Sequence, residues 1–168
     1  RATADAAPRA QSASANPAGL KVTFALLVDP EVVGTSYEQL TALSGVSKGT
    51  VSNTIADLRE RGHIFTEGPR RKLIDPNRLA RAWVDGYVRV LAPRLRRLEL
   101  AGPEPQWWVQ NWRDTTGTLG GGVALAELGA ALKPDHTIVY GRPPWQAIRR
   151  EARLTRDGGS PVILRERF

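Results

Sequence analysis

Ser47, Lys48, Gly49, Thr50, Ser52 and Asn53 fall within one short stretch, and their side chains are of the kinds that grip or read a nucleic-acid duplex. An asparagine amide bonds bidentately to adenine, and a lysine serves a guanine or a phosphate. Val51, Ile55 and Leu58 stand at i, i+4 and i+7 and point to a core. Lys48, Gly49, Ser52 and Asn53 then fall on the opposite face near a helix N-terminus, with Thr50 at its border. Small Gly49 and Ser52 permit close approach, and Lys48 is assigned to phosphate. Downstream, Arg70, Arg71 and Lys72 make a second cationic group. They sit at the tip Gly68-Pro69-Arg70-Arg71 of a hairpin between His63-Ile64-Phe65-Thr66-Glu67 and Lys72-Leu73-Ile74. Long cationic side chains on such a tip suit phosphates or a narrow minor groove. Ser36, the cap of the preceding helix, completes the set of candidate DNA contacts.

Other chemistries find less support. The chain has no cysteine, which excludes disulfides, thiolate zinc sites and cysteine nucleophiles. His63 reads as the first residue of a strand and His136 as a loop residue, neither with a partner that suggests a general base. A restriction-type site starting at Pro134-Asp135 lacks its downstream lysine, because Lys133 is the last one. No Asp-x-Asp pair exists to hold the metal ions of a nucleotidyltransferase. Gly120-Gly121-Gly122 lacks the Lys-Ser/Thr of a P-loop and reads as close packing of a helix on a strand. Trp107, Trp108 and Trp112 have the stacking faces of single-strand binders, but at this spacing they read as core. Glu31, Glu38 and Asp57 read as solvated helix faces. The expectation is no catalytic residue, no metal, no cofactor and no enzymatic activity.

The elements that must position these residues follow from pattern. Residues 1–18, rich in Ala, Ser, Pro and Asn, read as a flexible leader or linker. A helix starts at Leu20 and stops before Pro30. A second begins at Ser36, carries Tyr37, Leu40 and Leu43, and ends at Gly45, where a Cβ is expected to clash as the chain reverses. The third runs from Ser47 to about Arg61 and stops at Gly62. Asp75-Pro76 opens a helix to about Leu91 with the stripe Leu79, Ala82, Trp83, Tyr87, Val90 and Leu91. Pro93 interrupts it, and Arg94-Leu95-Arg96-Arg97-Leu98 resume it. Beyond Gly102-Pro103-Glu104-Pro105 come a helix from Val123 to Leu132, a strand Thr137-Ile138-Val139-Tyr140, a helix from Pro144 to about Arg153 and a strand Pro161-Val162-Ile163-Leu164-Arg165. The fold class is α+β. A winged helix-turn-helix over residues 19–74 is followed by a connecting helix and candidate dimer interface over 75–100. A small α/β C-terminal domain occupies residues 101–168.

Composition agrees with this plan. Hydrophobic residues at 41% and charged residues at 24% describe a folded chain rather than a disordered one. No apolar run is long enough to span a membrane. The net charge of +7 and pI of about 10.5 favour a polyanionic partner, nucleic acid first. The excess is spread along the chain, so there is no basic tail of the kind that binds DNA indiscriminately. Arginine supplies 20 of the 24 basic residues, the codon habit of a GC-rich genome. The chain contains no methionine, even at position 1, as expected of a piece of something longer.

Ser36-Tyr37-Glu38-Gln39-Leu40 and Gly45-Val46-Ser47-Lys48-Gly49-Thr50-Val51-Ser52, with Leu58 and Arg61-Gly62, are similar to the winged helices of many bacterial repressors. A wider frame resembles one narrower group. It comprises Gly19-Leu20-Lys21-Val22-Thr23-Phe24-Ala25-Leu26-Leu27, Trp83-Val84-Asp85-Gly86-Tyr87, Leu119-Gly120-Gly121, Leu132-Lys133-Pro134, Ile138-Val139-Tyr140 and Leu164-Arg165-Glu166-Arg167-Phe168. Together these resemble AbiEi-type proteins, transcriptional regulators or antitoxins of type IV toxin–antitoxin systems, over residues 19–168. The resemblance implies a DNA-binding repressor whose C-terminal domain is not a catalyst. It also implies that longer relatives carry a nuclease-like domain ahead of this point.

Two functions remain. One is a sequence-specific regulator of double-stranded DNA, cytoplasmic and nucleoid-associated. It is expected to be a homodimer, because one short recognition helix reads too few bases; a toxin partner is left unspecified. The other is the DNA-binding half of a larger DNA-processing or repair protein.

Overall fold

Asn16 starts the first helix. Its side chain accepts a hydrogen bond from the Gly19 amide at 2.8 Å, and Pro17 takes the first turn. This gives α1 (Pro17–Val28) in the computed structural model, which describes residues 12–103 and 117–168. The C-terminal part of the expected leader is therefore built into regular structure. Ala13–Ala15 form a 3-10 turn, and the Ser14 amide donates to Asp57 Oδ2 at 2.9 Å. Gly19 permits this packing, since a Cβ there would lie 1.8 Å from the Ala13 carbonyl oxygen. Residues 1–11 lie outside the described residues.

Ser36 and Gln39 form a reciprocal capping box that opens α2 (Tyr37–Ser44). Gly45 closes it in the left-handed region, at φ 67°. The reason for glycine differs from the expectation. Nothing lies within 4 Å of a Cβ built there, so the backbone angle and not a clash selects it. Ser47 Oγ accepts the Thr50 amide at 3.2 Å and opens α3 (Lys48–Glu60). Val51, Ile55 and Leu58 are buried as their spacing predicts, in one core with Val22, Leu26, Val33, Leu40, Ile64 and Leu79. Each such side chain contributes about 1.5–3 kcal/mol by leaving water.

The hairpin is tighter than its sequence suggests. β1 (Ile64–Glu67) pairs antiparallel with β2 (Arg70–Leu73), Glu67 opposite Arg70, leaving a turn of only Gly68 and Pro69. Arg70 and Arg71 are thus strand residues and not the tip. Asp75 caps α4 (Pro76–Gly86), which passes into a π turn, Tyr87–Leu91, and a 3-10 turn, Ala92–Arg94. Trp83 Nε1 donates to the Leu20 carbonyl at 2.8 Å, and the Trp83 ring stands 5.1 Å from both Phe24 and Tyr87. Leu79 and Leu91 of the apolar stripe are buried. The exposed large apolar residues of this stretch are Val84 and Val88.

The chain divides into two units at Arg94 and Leu95, ahead of the expected boundary. The cause is β3 (Arg97–Gly102), a strand where the helix was expected to resume; it pairs antiparallel with β6 (Ser160–Glu166). β4 (Gly117–Gly120), also unforeseen, leads into α5 (Gly121–Glu127), and β5 (Thr137–Gly141) precedes α6 (Gln146–Glu151). Both helices are shorter than their apolar patterns predict. The sheet runs β3-β6-β5-β4, with β5 and β6 parallel and the outer pairs antiparallel. Leu100, Val139, Val162 and Leu164 of the sheet pack with Val123 and Ile148 of the helices. Trp107, Trp108 and Trp112 lie outside the described residues. Among the described residues, no helix is long and apolar enough to cross a membrane.

Candidate nucleic-acid interface

α3 divides its residues by side. Val51, Ile55 and Leu58 are buried, Asn53 is exposed, and Ser52 is half-buried beside the hairpin. Gly49 is open to solvent and Thr50 half-buried. Two of the predicted contacts have capping work. Ser36 Oγ holds the Gln39 amide, and Ser47 Oγ holds the Thr50 amide while lying 2.9 Å from the Thr50 hydroxyl. Lys48 Nζ is ion-paired with Glu38 of α2. That lysine holds the fully exposed Glu38 carboxyl below its usual range, so Glu38 is more than a solvated face.

The three cations of the hairpin separate by strand alternation. Arg70 and Lys72 are exposed, whereas Arg71 turns inward. Its Nε donates to the Val33 carbonyl at 2.8 Å, its Nη2 donates to the Thr35 carbonyl, and its guanidinium carbon stands 4.7 Å from the centre of the Tyr37 ring. Arg71 is a strut between β2 and the approach to α2, and not a loose cation on a tip.

Between α3 and the hairpin runs a groove of about 370 Å³, walled by Tyr37, Ser52, Arg59, Thr66, Pro69 and Arg71, with Ile55, Ala56 and Gly68 between them. Sequence reading overlooked Tyr37, Arg59 and Thr66. The signal was present in α3, because Ser52, Ala56 and Arg59 recur at i, i+4 and i+7 and share one stripe.

The titratable groups nearby are structural. His63 is buried at the root of β1, and its Nδ1 has no hydrogen-bond partner among the described residues. Burial, then the charges of Arg78 and Arg61, keeps its pKa below the ordinary value. Burial pushes the Asp57 carboxyl up, yet hydrogen bonds from Ser14 and Arg61 outweigh it and leave the group lowered. Asp57 is thus the anchor of the N-terminal turn and not merely solvated. In the second unit, His136 does have a partner: Nδ1 lies 2.6 Å from Asp135 Oδ1, and this bond lowers the exposed Asp135 carboxyl. Among the described residues, no cluster of three or more His, Cys, Asp or Glu has the placement to hold a metal ion.

With one unit of packed helices closed by a hairpin and another built on a mixed sheet, this is an α+β protein. Residues 72–168 match the family described as transcriptional regulator, AbiEi antitoxin, of type IV toxin–antitoxin systems. The match covers more than half of the chain, and the chain belongs to this family. The family is one of regulators and antitoxins rather than an enzyme class. The helix pair and β1 precede the matched residues. No curated protein and no solved structure matches the chain.

Proposed function

We propose that the chain is a sequence-specific repressor of transcription that reads duplex DNA as a winged helix-turn-helix, α3 entering the major groove and the β1–β2 hairpin serving as its wing. The observation that supports this most is the two-sidedness of α3, whose inner face is buried while Asn53 stays exposed. In this reading Asn53 and Ser52 meet base edges, and Lys48, Gly49 and Thr50 line the approach. Arg70 and Lys72 contact backbone, and Ser36 and Ser47 hold the helix ends. Lys48 reaches a phosphate by leaving Glu38, and an exposed pair of this kind contributes little to stability, so the exchange costs little. Such a regulator acts at the nucleoid, in the cytoplasm.

The test is a binding titration of Asn53→Ala against the preferred duplex, found by selection from a random pool, and against a scrambled one. The expected loss is about 1–3 kcal/mol on the preferred duplex, with relaxed specificity at one position. Equal loss on both duplexes overturns the assignment of α3 as reader.

The repressor is further proposed to be a homodimer. A single short helix covers too few base pairs for operator specificity, and Val84 of α4 and Val88 of the π turn are 51% and 60% exposed. Sedimentation of the free chain and of its duplex complex is expected to show two copies. One copy in both conditions removes the dimer and leaves the monomeric reader standing.

A further inference from the structure

The groove between α3 and the hairpin has an unusual chemical balance. Its wall holds two guanidinium groups, Arg59 and Arg71, and three hydroxyls, Tyr37, Ser52 and Thr66, but no carboxylate. Glu60 and Glu67, the sequence neighbours of Arg59 and Thr66, are not part of it. Arg71 is held by its two carbonyl bonds and by the Tyr37 ring. Arg59 makes no ion pair, and the side chains of Ser52 and Thr66 make no hydrogen bond, among the described residues. Arg59, Ser52 and Thr66 therefore line a space of about 370 Å³ with donors that have no acceptor among the described residues, an arrangement that favours a tetrahedral oxyanion over a cation or a neutral body.

We infer that this groove is a phosphate seat, with Arg59 as its charged ligand, Thr66 as its hydroxyl donor, and Arg71 as the residue that positions the far wall. The inference rests on the DNA-binding reading for the source of the phosphate. A helix in the major groove and a hairpin over the adjoining minor groove straddle one sugar–phosphate strand, and that strand must run through the cleft between them. A phosphodiester of the duplex is thus the occupant that geometry selects, and a free nucleotide carries the same chemistry. The seat then fixes register, and Asn53, on the same helix, is presented to base edges at a set depth. Arg59 is a binding residue that carries no sequence information.

The experiment titrates the full chain, Arg59→Ala, Arg59→Lys and Thr66→Val against the preferred duplex, a scrambled duplex, inorganic phosphate and a mononucleotide, at several salt concentrations. Arg59 and Thr66 are exposed, so these variants leave the core intact. Arg59→Ala is expected to lose about tenfold in affinity on both duplexes, and its salt slope is expected to fall by about one unit. Arg59→Lys is expected to recover the slope but not the full affinity, because ammonium lacks the planar fork. Thr66→Val is expected to weaken both duplexes with the slope unchanged. Parental affinity and slope in Arg59→Ala, while the unmodified chain binds duplex, overturn the seat and leave the reader intact. A loss confined to the preferred duplex makes Arg59 a base contact and also overturns the seat. If the unmodified chain binds no duplex but binds inorganic phosphate or the mononucleotide through Arg59, the seat stands for a free phosphate and the DNA reading falls. Binding to none of the four probes removes both.

Discussion

Leu58→Ala is expected to destabilise the first unit by about 2–5 kcal/mol, the range for truncating a leucine in a packed core. Leu58 is 1% exposed and lies on the buried face of α3, among residues drawn from α1, α2, α3, β1 and α4. The loss combines the transfer energy of the removed methyl groups with the cavity they leave. Because the chain has two units, the measurement must be local. Hydrogen exchange of amides in α3 and the hairpin reports the first unit, and amides in the four-stranded sheet serve as the internal control. Duplex DNA is expected to restore much of the protection, since a ligand that binds only the folded form stabilises it by mass action. A loss below about 1 kcal/mol, confined to fraying of α3, would show that the helix is not seated on this core.

Arg71→Ala is expected to cost about 2–4 kcal/mol. The side chain makes two charge-assisted hydrogen bonds to backbone carbonyls and stacks over Tyr37. Each bond of this kind contributes up to about 1.5–3 kcal/mol and the stacking about 0.5–1 kcal/mol, but at a half-buried site water replaces part of both bonds, which brings the loss down to that range. Its loss releases β2 from the approach to α2, so the hairpin amides should lose protection first. Arg71→Lys is expected to rescue little, because a point charge cannot span both carbonyls in one plane. Duplex affinity should fall as a consequence of the loosened hairpin. A mere phosphate ligand would behave differently, lowering the salt slope by about one unit while stability stayed level. That outcome would refute the strut.

How much of this was legible from residues alone depended on where each element finds its partner. Ser36, Gly45 and Ser47 act within a few residues of themselves, and α2, its turn and α3 were readable from them. The strands at Thr137–Gly141 and Ser160–Glu166 announced themselves by β-branched runs. β3 did not. Its leucines suit a helix as well as a strand, and the decision is made by β6, far along the chain. β4 is four residues with glycine at both ends and carries no local signal. The N-terminal turn looked like linker because its small polar residues have no pattern, yet Asp57 holds it in place.

The site was legible in the same uneven way. The outer face of α3 followed from helical spacing, whereas the role of Arg71 hung on the length of one turn. With the turn confined to Gly68 and Pro69, strand alternation puts Arg70 and Lys72 on one side and Arg71 on the other. Extending the tip through Arg70 and Arg71 hid this. The Lys48–Glu38 pair joins two helices and leaves no trace in either. Arg59 was within reach, one stripe along from Ser52.

The strand order of the second unit governs when each half of the protein becomes whole during synthesis. The first unit closes on itself, the last residue of its core being Leu79, ahead of its end at Arg94. The second cannot do so, because β6, made last, lies between β3 and β5. Until Ser160–Glu166 leave the ribosome, β3 has no partner strand among the described residues and one side of β5 is bare, each a template for another chain. A nascent chain can therefore present a finished α3 and hairpin while its C-terminal half is still open. A ribosome that stops shortly before Ser160 leaves a folded N-terminal unit joined to an aggregation-prone remnant.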